Sequence, residues 1–525
     1  MHAIKQSRAV IPVTNSCPVL IANGFDEVSR FHLSSDFVIN ASESGQIIDY
    51  DEKSNIMIAK YKSGKIQAID LNPNIVKNGN GGFFLANTLK TDLKVGDKFK
   101  ANDVLGYHKD FFTNNKYNNC RMNMGTLAKV AIMSTYNTYQ DGTFCTEEFS
   151  KRASTEMVFL KSVVVGKNSN IEYIVNKGDE IKVGDSLIRF DESFEDDSLN
   201  ALLANMAAND KEAILANSRN DVQSKFSGVI EDIKIYATVE LDEMSPTLKS
   251  IVSRHYRAID AKREFLDKYD ETGNKKSVVK CGIMLNETSG ITKPNQFGVI
   301  KGENVEDGVL IEFYVKHSEP LEIGSKIANF SAIKNTIDEI IPKGYEPYSE
   351  FRKDEFIDTI IASNSLLKRM TPSVLVTALG NKCIVELKRS LEDIWNKKTE
   401  DRRKKMEALI YKFFNAMDDT GKNTKHYKEI FETMSDNEFK KYFDGFFKEE
   451  TAYLVLTIVD YESDLTLDEI ERAAKVLGIP LFEYVYTPHL TMDKENVVMT
   501  QTPVPVGYII CKREQQTLRS HLFDE

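Results

Sequence analysis

No run of apolar residues approaches the roughly 18 needed to cross a bilayer. The opening Met1-His2-Ala3-Ile4-Lys5-Gln6 also lacks the apolar core of a secretion signal, so no membrane partner is expected. Paired cysteines are missing too. Cys17, Cys120, Cys145, Cys281, Cys383 and Cys511 are scattered with no CxxC, which argues against structural zinc and a disulfide framework and fits a reducing compartment. The eight histidines form no HExxH. Nor is positive charge in excess: 68 Lys and Arg face 79 Asp and Glu, a net charge of −11. A chain that coats nucleic acid unaided usually carries a basic face. Any such contact here requires a local basic channel or help from partner chains.

What is present describes an ordinary folded protein, 41% apolar and 28% charged. A length of 525 residues has room for about three or four modules. A short pattern recurs. Gly96-Asp97-Lys98-Phe99-Lys100 through Leu105 and Gly178-Asp179-Glu180-Ile181-Lys182 through Leu187 share G-D-x-[FI]-K-x-x-D-x-L, a strand, a Gly-Asp turn and a returning strand. Gly324-Ser325-Lys326-Ile327 is a partial third copy. Such units commonly build small barrels.

Helical signals punctuate the rest. An acidic stretch from Asp191 to Asp197 leads into a helical reading through Leu199, Leu202, Leu203 and Met206. Ser245-Pro246 marks a helix start, with Leu248, Ile251, Val252, His255, Ile259 and Phe265 on one stripe, where His255 reads as packed rather than as a ligand. Beyond Gly380, Leu387, Leu391 and Ile394 form one stripe, and Met406, Leu409, Ile410, Phe413 and Met417 another. Arg402-Arg403-Lys404-Lys405 reads first as a solvated helix face, with contact to phosphate as the alternative. Ser435-x-x-Glu438 and Thr466-x-x-Glu469 are capping boxes, the second helix closing at Gly478.

The segment Leu321 to Lys334 carries Lys326 and Lys334 on strand-turn structure, preceded by the alternating Val309 to Val315 and followed by Lys368-Arg369-Met370. Cations placed this way suit the holding of phosphates. Taken alone, each lysine reads more readily as a solvated hairpin residue.

An ordered series of segments resembles the C-terminal half of the beta subunit of multisubunit DNA-directed RNA polymerase. Gln6 to Pro12 is similar to that family's QRQAVP, Pro18 to Gly24 to PLVGTG, Gly45 to Tyr50 to GGVVxYVD, and Lys94 to Gly106 to EKVERGDVLADG. Lys129 to Asp141 resembles RVAFMPWNGYNFED, Gly324 to Lys334 resembles GDKMAGRHGNK with both lysines in place, Leu367 to Met370 resembles VPSRM, and Pro503 to Tyr508 resembles PVTVGY. Departures are local: Phe330-Ser331-Ala332-Ile333 stands where the family has Arg-His-Gly-Asn, and Gln140-Asp141 where it has Glu-Asp.

The resemblance implies an α+β, multidomain protein with a double-psi β-barrel core, an inserted flap or wall module and a C-terminal helical region. Its implied divisions are a hybrid-binding region (1–80), first barrel part (81–165), flap/wall insertion (166–306), second barrel part with the lysines (307–380), helical region (381–460) and a C-terminal hybrid-binding segment (461–525). It implies that Lys326 and Lys334 hold phosphates of the RNA 3′ end, that Arg369 meets the incoming triphosphate, that Asp141 assists a metal through water, and that Gln6 and Arg8 line the RNA path. The family's metal-binding NADFDGD lies in the largest subunit. Here Tyr442-Phe443-Asp444-Gly445-Phe446 lacks the further carboxylates and sits in a helical context, so it is not expected to bind metal.

Mg²⁺ is therefore expected from a beta′-like partner. The other expected partners are an N-terminal beta fragment, a promoter-specificity factor, template DNA, the transcript and nucleoside triphosphates. Starting midway through the family pattern and stopping soon after the PVTVGY-like strand resembles the split subunits of giant tailed phages, in an infected bacterial cytoplasm or packaged in the virion. The competing expectations are a non-catalytic virion or assembly protein reusing barrel hairpins, and a self-sufficient single-chain polymerase, which the missing carboxylates disfavour.

Overall fold

The computed structural model describes residues 10–77, 83–115, 119–135, 138, 141–191, 219–271, 273–274, 277–285, 287, 289–292, 308–329, 333–369, 371–458 and 465–514. The helical reading over Leu199 to Met206 lies outside them. The chain divides into two compact units, one of residues 1–38, 107–155 and 319–525, the other of residues 39–106 and 156–318.

The first unit is built on a closed barrel of six strands: β1 (Asn119–Ile132), β2 (Gly142–Thr146), β3 (Lys326–Ala328), β4 (Lys334–Ile341), β5 (Thr359–Ile361) and β6 (Val504–Glu514). Around the barrel β6 pairs antiparallel with β3, β3 antiparallel with β4, β4 parallel with β2, β2 antiparallel with β5, and β5 parallel with β1. An antiparallel ladder from Thr126↔Cys511 to Ala131↔Val506 joins β1 back to β6 and closes the ring. Closure leaves the barrel wall no free edge among these strands. Period-two alternation sends Val130, Cys145, Ile327, Ile337, Ile361, Ile509 and Cys511, drawn from all six strands, into one buried cluster.

The helical region covers one side of β6. Helix α1 (Ser373–Asn396) presses Ala378 against Gly507, where a Cβ would lie only 2.3 Å from the Ala378 carbonyl oxygen. Replacing Gly507 with Ala therefore forces two backbones apart, costing about 1–3 kcal/mol or more. A lowered urea midpoint is the expected result, and an unchanged midpoint would show that the helix is not seated there.

Helices α2 (Arg402–Met417), α3 (Lys422–Glu432), α4 (Asp436–Phe446) and α5 (Leu467–Leu477) complete this region. The expected stripe residues Leu387, Leu391, Met406, Ile410, Phe413 and Met417 are all buried in its core, with Ile394 and Leu409 packed against it. Both capping boxes are formed, and α5 ends on Gly478 in the left-handed region. The basic run divides. Arg402 lies 3.9 Å over the Trp395 ring, and Arg403 sits over Phe439 while donating to the Phe431 and Met434 carbonyls. Only Lys404 and Lys405 are exposed. Asp444, within α4, accepts from Trp395 Nε1 at 3.2 Å.

The second unit holds a sheet of four strands in the order Lys98–Phe99, Gly45–Asp51, Ile56–Tyr61, Ile66–Asp70, and a six-stranded sheet around the long strands Thr155–Gly166, Gly228–Ala237 and Gly308–Glu319. Ser245 caps the Pro246–Asp267 helix, accepting from the Leu248 N–H, and Leu248, Val252, Ile259 and Phe265 are buried along it.

The repeated motif has one physical basis. The carboxylates of Asp97, Asp103, Asp179 and Asp185 each accept from the backbone N–H three residues earlier, at 2.7–2.8 Å. Gly96, Gly178 and Gly184 take positive φ to let the chain turn. The partial copy in the first unit repeats this with Ser325, whose hydroxyl accepts from the Glu322 N–H at 3.0 Å beside Gly324 at φ 87°.

Candidate active site

That Ser325 turn feeds directly into β3, which starts at Lys326. In the β3–β4 ladder Lys326 stands opposite Thr336, Ile327 opposite Asn335 and Ala328 opposite Lys334. Ile327 and Ile337 enter the barrel cluster. By alternation, Lys326 and Lys334 share the other face as diagonal neighbours, about 7–8 Å apart. Strand β6 lies on the far side of β3, with Lys512 opposite Ala328 and Arg513 opposite Ile327. The same alternation puts Lys512 and Glu514 on the lysine face. Phe330, Ser331 and Ala332, where the sequence departs from the family, lie outside the described residues.

Lys334 forms an ion pair with Glu514; the ammonium is about one-third exposed, whereas the carboxylate is 1% exposed. Glu514 thereby holds the lysine in place before any ligand arrives. Lys512 is buried, and that burial pushes its ammonium down to about 8. On the opposite face Arg513 is fully buried and donates to Glu319, with burial lowering its guanidinium to about 10 against the pull of Glu319 and Glu322.

The lowered value at Lys512 has a consequence for stability. Between about pH 8 and its ordinary value of 10.5 the unfolded chain binds more protons than the folded one, so stability from this group rises with pH through that window and is lowest below it. Lys388, also lowered to about 8 by burial, acts in the same direction. Lys512→Met should raise the urea midpoint at pH 7 and reduce the rise between pH 8 and 10.5. An unchanged pH profile in the variant would contradict the assignment.

Asp141 enters beside this hairpin. Its carbonyl accepts from the Thr336 N–H at 2.9 Å, and Gly142 then pairs with Thr336 as β2 runs parallel to β4. The residue opposite Lys326 is thus bonded to the backbone of Asp141. Arg369 closes the Ser363–Arg369 helix, which begins two residues beyond β5. Its side chain, like Gln6, Arg8 and Gln140, lies outside the described part of the molecule. Three sequence candidates, Lys326, Lys334 and Asp141, therefore meet on adjacent strands.

Sequence reading missed Lys512 and Glu514. The resemblance at this end covers only Pro503 to Tyr508 and stops before the charges begin, although the strand continues through Glu514. Among the described residues no group of three or more His, Cys, Asp or Glu is arranged to hold a metal ion. The donor set here does not fit a resident metal cage.

A family model for RNA polymerase Rpb2, domain 6, matches residues 132–453, more than half of the chain. The chain belongs to that family. It is a beta-type subunit of a multisubunit DNA-directed RNA polymerase, a class that works assembled with other subunits on template DNA and RNA. The matched span contains Asp141, both hairpin lysines and Arg369. A search of curated proteins gave no match. No described helix is long and apolar enough to cross a membrane.

Proposed function

We propose that this chain is the C-terminal part of a split beta subunit, of the kind found in giant tailed phages, and that its barrel, of double-psi type, completes the polymerase active site. The observation that carries this reading is the shared face of Lys326 and Lys334, with Asp141 joined to the next strand. In this role the two ammonium groups grip phosphates of the RNA 3′ end and hold its hydroxyl in line with the α-phosphorus of the incoming triphosphate. The hydroxyl oxygen bonds to that phosphorus, pyrophosphate leaves, and the hydroxyl proton is released.

Ammonium point charges on flexible stems suit a strand that must shift by one nucleotide after each addition, because they follow a phosphate without demanding one geometry. Arg369 meets the triphosphate and offsets charge on departing pyrophosphate. Gln6 and Arg8 line the RNA path. The carboxylates that hold Mg²⁺ belong to a beta′-like partner, with Asp141 assisting through water. Residues 166–306 serve as the flap module that meets a promoter-specificity factor.

Purification of the tagged chain followed by mass spectrometry tests the assignment. Co-purification with a chain bearing a DFDGD segment, and primer extension only by the assembled complex, are the expected results. Extension by the isolated chain would mean a self-sufficient enzyme. Absence of both the partner and extension would mean an assembly protein.

A further inference from the structure

Glu514 is held differently from the carboxylates that brace the barrel against α1. Glu355 receives Arg389, the Lys129 ammonium and the Tyr508 hydroxyl. Glu386 receives Arg352 and Arg389, and Asp358 receives Arg152 and the Lys129 N–H. Several donors, most of them planar guanidinium forks, fix each of these in one geometry. The Lys382–Glu483 pair has a single ammonium, but both partners are sealed from solvent. Glu514 is sealed too, and among the described residues it meets the Lys334 ammonium and accepts no further hydrogen bond. Lys334, by contrast, is about one-third exposed. The pair therefore joins a fixed anion to a flexible cation that faces the site.

The register shows how that cation can move. Lys334 stands on β4 opposite Ala328 of β3, and Ala328 stands opposite Lys512 of β6. Continued by one residue, the β3–β6 register sets Lys326 opposite Glu514. The ion pair thus spans β3 between Ala328 and Lys326, where a methyl group leaves the lysine stem room to cross. When Lys334 swings away, Glu514 still has cations on its own face, Lys326 across the ladder and Lys512 two residues back. These neighbours reduce, without removing, the cost of parting.

We propose that Glu514 is a positioning residue that competes with the transcript for Lys334 and so makes the hold on the growing end releasable. This rests on the reading of Lys334 as a holder of the RNA 3′ end. Arrival of a phosphate then exchanges one ion pair for another, and the net hold is the difference between the two. Without Glu514, each one-nucleotide shift of the RNA would leave the ammonium with no anion to return to. Glu514 takes it back, which eases the shift and weakens the hold on the RNA end.

The test uses the assembled polymerase extending a short RNA primer on a template, with two readouts. One is the primer concentration giving half-maximal extension; the other is the rate per nucleotide over several additions at saturating primer. Glu514→Gln keeps the shape and removes the charge. It should lower the half-saturating concentration about fivefold, the worth of one partly exposed ion pair, and slow successive additions. A merely structural role would instead weaken both. In a Lys334→Ala background, where primer binding is already weakened, Glu514→Gln should change neither readout. Glu514→Asp keeps the charge but draws it back by one methylene, and should fall between native and Glu514→Gln.

A half-saturating concentration that stays the same or rises in Glu514→Gln overturns the proposal, as does an equal lowering in the Lys334→Ala background. If Glu514→Gln does not assemble, Glu514→Asp decides, and no tightening there overturns it equally. Native primer binding and rate in Lys334→Ala alone would mean that the lysine reading itself fails, and the proposal with it. A clear Lys334→Ala defect beside an inert Glu514→Gln would leave that reading standing and remove only the competition.

Discussion

Replacing Lys326 and Lys334 together with alanine is expected to slow nucleotide addition by about 10²- to 10⁴-fold while leaving the assembled complex intact. In the proposed role each lysine would supply a charged hydrogen bond to a phosphate, worth about 1.5–3 kcal/mol, and each 1.4 kcal/mol is about tenfold in rate when the contact positions the reacting group. Single-turnover extension on a preformed template–RNA scaffold measures this. Rates near wild type would remove the lysines from the site.

Glu514 requires a control. Lys334→Ala alone leaves a buried carboxylate without its ion-pair partner, which destabilises the fold for reasons unconnected with RNA. Combining it with Glu514→Gln should restore the urea midpoint without restoring extension. Recovery of both would show that the defect was one of folding.

The second large effect lies in the pair that ties the helical region to the start of β6. Lys382 of α1 and Glu483 are 3% and 2% exposed and form an ion pair. Glu483 belongs to the Phe482–Glu483 strand, which pairs with Val504 and Pro505 at the beginning of β6. Glu483→Ala strands a buried ammonium and should cost about 3–5 kcal/mol, a large share of the stability of most domains. Replacing both partners with apolar residues of similar size should recover most of that loss. Equilibrium denaturation of the single and double variants decides it, and a loss under about 1 kcal/mol for the single variant would show that the pair is solvated.

The features legible in the sequence were those set by neighbours a few residues apart. The Ser245-Pro246 start, the Ser435–Glu438 and Thr466–Glu469 boxes and the Gly-Asp turns each need only one side chain bonding to backbone within three residues. The Lys326–Lys334 hairpin was legible for the same reason. Closure of the barrel was legible only through resemblance, since it depends on β1 meeting β6 across nearly 400 residues of chain. Lys512 and Glu514 were hidden because a charged strand end looks like surface until β3 and β4 are packed beside it. Arg402 and Arg403 misled in the opposite sense: a basic run on a helix suggests solvent, yet Trp395 and Phe439 offer aromatic faces that take up the guanidinium planes.

The burial of Lys512 also shapes what the site can do. With its ammonium lowered to about 8, the positive charge on the lysine face declines as pH rises through that value. Extension should weaken over the same range, and less so in Lys512→Met.

The most direct measurement is photocrosslinking from an RNA carrying 4-thiouridine at its 3′ end, in the assembled polymerase, with mass-spectrometric mapping of the attached peptide. Crosslinks within the segment from Ser325 to Asn335 are the expected result. Reproducible crosslinks confined to other parts of the chain, or to partner chains alone, would contradict the central claim that this hairpin holds the growing end.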